Sequence, residues 1–93
     1  MTFSRVLAGA SLTKIELAQL YGVSRQTIHT WAAGGNPRPG SYTARMASVI
    51  TRALEGAIDK KLLPLGAMYD KERRAARIQS MAATLQNLKP APR

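Results

Sequence analysis

A tight turn flanked by two helix-start signals lies in the first third of the chain. Thr13 and Glu16 have the spacing of a capping box, in which each side chain accepts a hydrogen bond from the other residue's backbone N–H. Gly22 can adopt the left-handed conformation that ends a helix, and Ser24 is a favourable N-cap for the next one. The pattern predicts two short helices, residues 14–21 and 25–33.

The remainder of the chain is also helical in pattern, because no segment alternates strictly between apolar and polar residues. Gly56 weakens the interior of the predicted fourth helix by about 1 kcal/mol relative to Ala, so this segment is either one helix or two that meet there. We expect an all-α fold: a compact helix-turn-helix bundle of four to five helices with a basic C-terminal helix. The predicted helices outside the turn are residues 3–10, 42–58 and 70–88. The predicted division is a bundle domain, 1–66, and a basic C-terminal helix and tail, 67–93.

The charge of the chain points to a polyanionic partner. Its 93 residues include 14 Lys+Arg and 5 Asp+Glu, for a formal net charge of +9. Residues 1–45 carry +4, residues 46–70 carry zero and residues 71–93 carry +5. Nucleic acid is the commonest partner of so basic a small domain. The alternative is that both basic blocks are ordinary solvated faces.

Composition narrows the chemistry open to the chain. There is no cysteine, which excludes disulfides, thiolate zinc sites and a catalytic thiol. One histidine and five carboxylates leave few ways to assemble a metal site or an acid–base pair, so we expect neither an enzyme nor a bound metal or cofactor. No apolar run is long enough for a membrane span, and no signal peptide is evident. We therefore expect a cytoplasmic protein without a membrane partner.

Residues 14–33 resemble the helix-turn-helix of the Cro/C1-type (lambda-repressor-like) DNA-binding family. The resemblance rests on small Ala18 where the helices cross, Gly22 at the turn and Val23 in the corner between the helices. It also rests on a shared apolar interior of Leu17, Tyr21, Ile28 and Trp31. It implies that the second helix enters the major groove of double-stranded DNA. The alternative is an αα-hairpin that merely packs. Nothing outside residues 11–45 carries a family signature.

The predicted base-reading residues lie on the second helix of this motif. On a helical wheel, Gln26, His29 and Thr30 face away from the side that carries Ile28 and Trp31. A glutamine amide suits adenine N6 and N7, and a small threonine permits close approach to a thymine methyl. The resemblance implies Arg25, Gln26 and Thr30 as readers of bases. His29 is open between a base contact, a phosphate contact and plain surface.

The predicted phosphate contacts surround that helix. Lys14 matches a position that grips the DNA backbone in the family, and free N–H groups at a helix terminus favour phosphate there. Ser24 stands at the corresponding terminus of the second helix. Arg38 in the following loop and Arg45 beyond it are further candidates.

Two apolar helical segments suggest self-association. A palindromic operator requires a dimer whose recognition helices lie about 34 Å apart. The candidate interface is residues 46–62, with 75–88 as a second candidate, and the alternative is that these stripes belong to an intramolecular core. Arg73, Arg74 and Arg77 crowd the N-terminal end of the last helix, where the helix dipole disfavours cations. They therefore indicate an outside partner or weak helicity.

The leading functional hypothesis is a sequence-specific double-stranded DNA-binding protein, a small phage- or prophage-type transcriptional regulator acting as a repressor. A second hypothesis is the DNA-recognition subunit of a phage machine, such as a terminase small subunit or a recombination directionality factor. A third is a protein-interaction inhibitor that uses the helix-turn-helix only as a scaffold.

Overall fold

The structure, a computed structural model, describes residues 3–66 and 70–90, and all regular secondary structure in these two ranges is helical. This confirms the all-α fold class with five helices. None of the helices in the described part of the chain is both long and apolar enough to cross a membrane. The helices are α1 (Phe3–Gly9), α2 (Lys14–Tyr21), α3 (Arg25–Ala32), α4 (Tyr42–Asp59) and α5 (Lys71–Gln86).

The predicted caps of the helix-turn-helix are confirmed. The backbone N–H of Glu16 donates to Thr13 Oγ1 at 3.1 Å, and the N–H of Thr13 donates to Glu16 Oε1 at 2.9 Å. Gly22 ends α2 in the left-handed conformation at φ 67°. Ser24 caps α3 by accepting from the N–H of Thr27 at 3.1 Å.

The later helices differ from expectation in detail. α4 continues through Gly56 as a single helix, so the possibility of two helices meeting there is wrong. The physical reason is that α4 buries Ile50 and Leu54, and that gain exceeds the cost of about 1 kcal/mol for one glycine. α5 begins after Asp70, whose carboxylate accepts from the N–H of Arg73 at 2.8 Å. Residues 67–69 and 91–93 of the predicted C-terminal helix and tail lie outside the described residues.

Three aromatic side chains form the centre of the helix packing. Phe3 of α1, Tyr21 of α2 and Trp31 of α3 meet pairwise edge to face, with ring centroids 5.6–5.8 Å apart. The hydroxyl groups of Tyr21 and Thr51 form a buried hydrogen bond of 2.6 Å. Burial raises the pKa of Tyr21 to about 12. α1, α2, α3 and α4 are therefore joined at one point.

The two apolar stripes considered for self-association are used largely within the chain. α4 buries Met46, Ile50 and Leu54, and α5 adds Ile78, Ala82 and Leu85 to the same core. At these positions the structure agrees with the intramolecular alternative. A homodimer through residues 46–62 or 75–88 stays a prediction, and it would have to use outward residues such as Leu62, which is 58% exposed.

Candidate nucleic-acid interface

The start of α2 and the outer face of α3 together form one open concave surface. Its lining residues are Lys14, Arg25, Gln26 and His29. Lys14 Nζ lies 3.0 Å from His29 Nδ1, and because an ammonium group can only donate, His29 is the acceptor. The structure thus brings together four of the eight residues that the sequence predicted to contact DNA.

The chemistry of this surface suits an anionic, hydrogen-bonding partner. Lys14 and Arg25 are exposed cations, and none of the lining residues is acidic. With Nδ1 of His29 accepting from Lys14, the imidazole tautomer that fits carries its hydrogen on Nε2, which can then act as a donor. Two cations and such a donor are groups that bind phosphate oxygens or base acceptors.

Gln26 and Thr30 are both exposed on α3, but their side chains differ in availability. Gln26 makes no side-chain hydrogen bond within the described residues, which leaves its amide free to donate and accept together. The Thr30 hydroxyl donates to the backbone carbonyl of Gln26 at 3.0 Å. Its methyl lies so close to Gly35 that a Cβ there would come within 2.7 Å of it. Base readout by Thr30 stays a prediction, and its oxygen could only accept.

Ser24 has its side chain engaged in the cap of α3. Its Oγ accepts from the N–H of Thr27 and also lies 2.8 Å from Thr27 Oγ1. Contact of Ser24 with phosphate stays a prediction, and a bound phosphate would have to compete with both of these interactions.

The two later arginines do not line this surface. Arg38 is exposed in the loop after α3 and borders a separate shallow concavity with Pro39, Gly40 and Ser41. Arg45 lies in the first turn of α4, where its Nε is buried without a hydrogen-bond partner among the described residues. Contact of Arg38 or Arg45 with phosphate therefore stays a prediction.

Sequence reasoning missed an ion pair behind the interface. The Arg74 guanidinium binds the Glu16 carboxylate through Nε at 2.7 Å and through Nη2 at 2.9 Å. The expectation that this arginine cluster indicates an outside partner or weak helicity is therefore wrong for Arg74, because Glu16 supplies the negative charge from within the chain. The only signal in the sequence was the unfavourable position of a cation at a helix N-terminus.

A second ion pair within the chain engages another of its cations, Arg5. The Arg5 guanidinium on α1 binds Glu55 at 3.3 Å and also Asp59, both on α4. Hydrogen bonds with Asp59 and Glu55 raise the pKa of Arg5. Arg5 and Arg74 are thus paired within the protein, whereas Lys14 and Arg25 face outward on the concave surface.

The Glu16–Arg74 pair predicts acid sensitivity of the fold. The hydrogen bond from Arg74 lowers the pKa of Glu16 from its ordinary value of 4.5. A carboxyl with a lowered pKa stabilises the fold above its unfolded-state pKa and loses that contribution as the pH falls through its folded-state pKa. We expect the free energy of unfolding, measured by urea titration, to fall below about pH 4.5, and Glu16→Gln to remove part of that fall.

The matched control is Glu72→Gln on α5, an exposed carboxylate without an ion pair among the described residues. It should keep the pH dependence of the parent. Identical pH curves for the parent and Glu16→Gln would contradict a stabilising role for the pair.

Comparisons with known proteins supply no relative. No family model, no curated protein and no solved structure matches this chain. The concave surface formed by α2 and α3 is therefore the observation from which a function can be argued.

Proposed function

We propose that the chain is a sequence-specific double-stranded DNA-binding protein that reads the major groove with α3. We further propose that it is a small transcriptional regulator, a repressor of the phage or prophage type. Such a protein would act in the cytoplasm, at the nucleoid of a bacterium or a phage-infected host. The observation that carries the proposal is the concave surface formed by α2 and α3, on which the contact between Lys14 and His29 joins the start of α2 to the outer face of α3.

The dimensions of α3 support this reading. α3 is a regular α-helix, and the diameter of an α-helix with its side chains, about 10–12 Å, matches the major groove of B-form DNA, which is about 12 Å wide. With the outer face of α3 in the groove, Gln26 and Arg25 would meet base edges. Lys14 would then lie at the groove edge, where the phosphates run.

The distribution of charge supports it as well. Outward cations that neutralise phosphates release condensed counterions, which makes affinity fall with salt. Two acids of the neutral stretch 46–70, Glu55 and Asp59, pair with Arg5 and so stabilise the packing of α1 on α4.

Lys14→Ala separates phosphate contact from base reading. We expect it to weaken binding to all duplexes alike and to lower the slope of log affinity against log salt by about 0.9, the value for one phosphate contact. The assay is selection of bound duplexes from a random pool, followed by titrations of one enriched and one unrelated duplex at several salt concentrations. Lys60→Ala is the control. Lys60 is exposed at the C-terminal end of α4, whereas the loop from α3 joins the N-terminal end, so this variant should leave the slope unchanged.

If the parent enriches no duplex, or if Lys14→Ala leaves the salt slope unchanged, the proposal is contradicted.

Measurement of the molecular mass in solution separates the alternative functions. A dimer with a palindromic enriched site agrees with a repressor, whereas a ring of many subunits indicates a DNA-recognition subunit of a phage machine. Absence of salt-dependent DNA retention indicates a protein-interaction inhibitor on this scaffold.

A further inference from the structure

The Arg74 guanidinium brackets the chain segment from which Lys14 projects. Besides its two hydrogen bonds to the Glu16 carboxylate, it donates through Nη2 to the backbone carbonyl of Ser11 at 3.0 Å. Ser11 precedes α2 and Glu16 lies in its first turn, so one side chain from α5 holds both ends of the segment that contains Lys14.

That segment needs support from outside. Ser11 has a φ of 50°, a conformation that residues other than glycine rarely adopt. α2 is eight residues long, and helices of that length do not persist in water on their own. Glu16 also accepts the hydrogen bond from the N–H of Thr13, so the carboxylate that closes the capping box is the same one that Arg74 holds.

α5 holds α2 at its other end too. Gln86 Nε2 donates to the backbone carbonyl of Gln19 at 2.8 Å. On the first turn of α2, Glu16 and Lys14 project about 160° apart, so Arg74 acts from behind while Lys14 faces α3. α5 therefore secures the side of α2 opposite the Lys14–His29 contact.

We infer that Arg74 is a positioning residue for DNA binding: it acts through Glu16 and Ser11 to hold the start of α2, and thereby presents Lys14 beside His29. This inference rests on the proposed DNA-binding function. It assigns to one arginine of the basic tail a role that does not involve contact with phosphate.

The experiment compares Arg74→Ala with Arg73→Ala, which removes the same charge at the neighbouring position. Arg73 is exposed and makes no ion pair within the described residues. In the free protein, Arg74→Ala should reduce the amide hydrogen-exchange protection of Thr13 and Glu16 while leaving that of Ile50 unchanged. It should also shift the NMR signals of the His29 ring. Arg73→Ala should do neither.

On an enriched duplex, Arg74→Ala should raise the Kd about tenfold, the effect of losing one charge-assisted interaction, with the salt slope unchanged. Arg74→Lys keeps a charged donor but not the two-pronged contact, so it should restore part of the affinity. In a Glu16→Gln background, where the capping oxygen remains but the ion pair does not, Arg74→Ala should have a smaller effect.

Equal losses for Arg73→Ala and Arg74→Ala, each with the slope reduced by about one, would make Arg74 a phosphate contact and overturn the inference. So would unchanged exchange at Thr13 and Glu16. Failure of the parent to enrich any duplex would overturn the proposed function instead, and it is distinguishable because the exchange and histidine measurements are made without DNA.

Discussion

Replacement of Trp31 by alanine should lower the free energy of unfolding by about 3–5 kcal/mol, the range for removing a large aromatic side chain from a core. Trp31 is 6% exposed and packs edge to face on Phe3 and Tyr21, with distances between ring centroids of 5.8 and 5.7 Å. Such pairs contribute about 0.5–1.5 kcal/mol beyond the area they bury. The loss would affect three helices at once, because each ring comes from a different one.

Urea unfolding followed by far-UV circular dichroism measures this change, since the variant lacks the tryptophan fluorophore. Tyr42→Ala is the control: Tyr42 is 61% exposed, so the free energy of unfolding should stay within about 0.5 kcal/mol of the parent. If Trp31→Ala does not fold, Trp31→Phe takes its place, and its free energy of unfolding should be lower than that of Tyr42→Ala. A Trp31→Ala protein of parental stability that no longer binds DNA would instead make Trp31 a contact to the nucleic acid.

Gln26→Ala should cost about 1–3 kcal/mol on the preferred duplex and relax the preference at one base position. The reason is that the Gln26 amide is exposed on the concave surface and makes no side-chain hydrogen bond within the described residues. A free amide can donate to one atom of adenine and accept from another, whereas alanine can do neither. Binding to unrelated duplexes should change little.

The measurement is a parallel selection from a random duplex pool with parent and variant, followed by titration of the parent's preferred duplex. Gln79→Ala, at an exposed glutamine on α5, is the matched control and should keep the parental preference. If Gln26→Ala enriches the same duplexes with the same affinity as the parent, α3 does not read bases through this residue.

The parts of the fold that could be predicted from sequence are those whose interactions are local. The Thr13–Glu16 capping box and the Ser24 cap each join residues three positions apart, so the spacing of residue types is enough to predict them. Gly22 ends α2 for a reason that belongs to the single residue, its freedom to adopt a positive φ. Gly56 shows the limit, because its cost was outweighed by burial against other helices.

The parts that could not be predicted join distant positions. Arg74 and Glu16 are 58 residues apart, and nothing in their spacing pairs them. The outward position of Gln26 follows from helical periodicity, whereas the engagement of the Thr30 methyl with Gly35 depends on how the next loop folds back. The Lys14–His29 contact likewise depends on the angle at which α2 and α3 cross.

By itself, the sequence determined the all-α class, the approximate limits of most helices, the turn between α2 and α3, and a net charge of +9. Only the tertiary structure decided which of those charges have acidic partners: Arg5 and Arg74 are paired with carboxylates of the chain, while Lys14 and Arg25 share one surface with Gln26 and His29. The physical reason is range. Net charge is a sum over the chain in any order, but ion pairs and hydrogen bonds form only within a few ångströms, and the packing of five helices sets those distances.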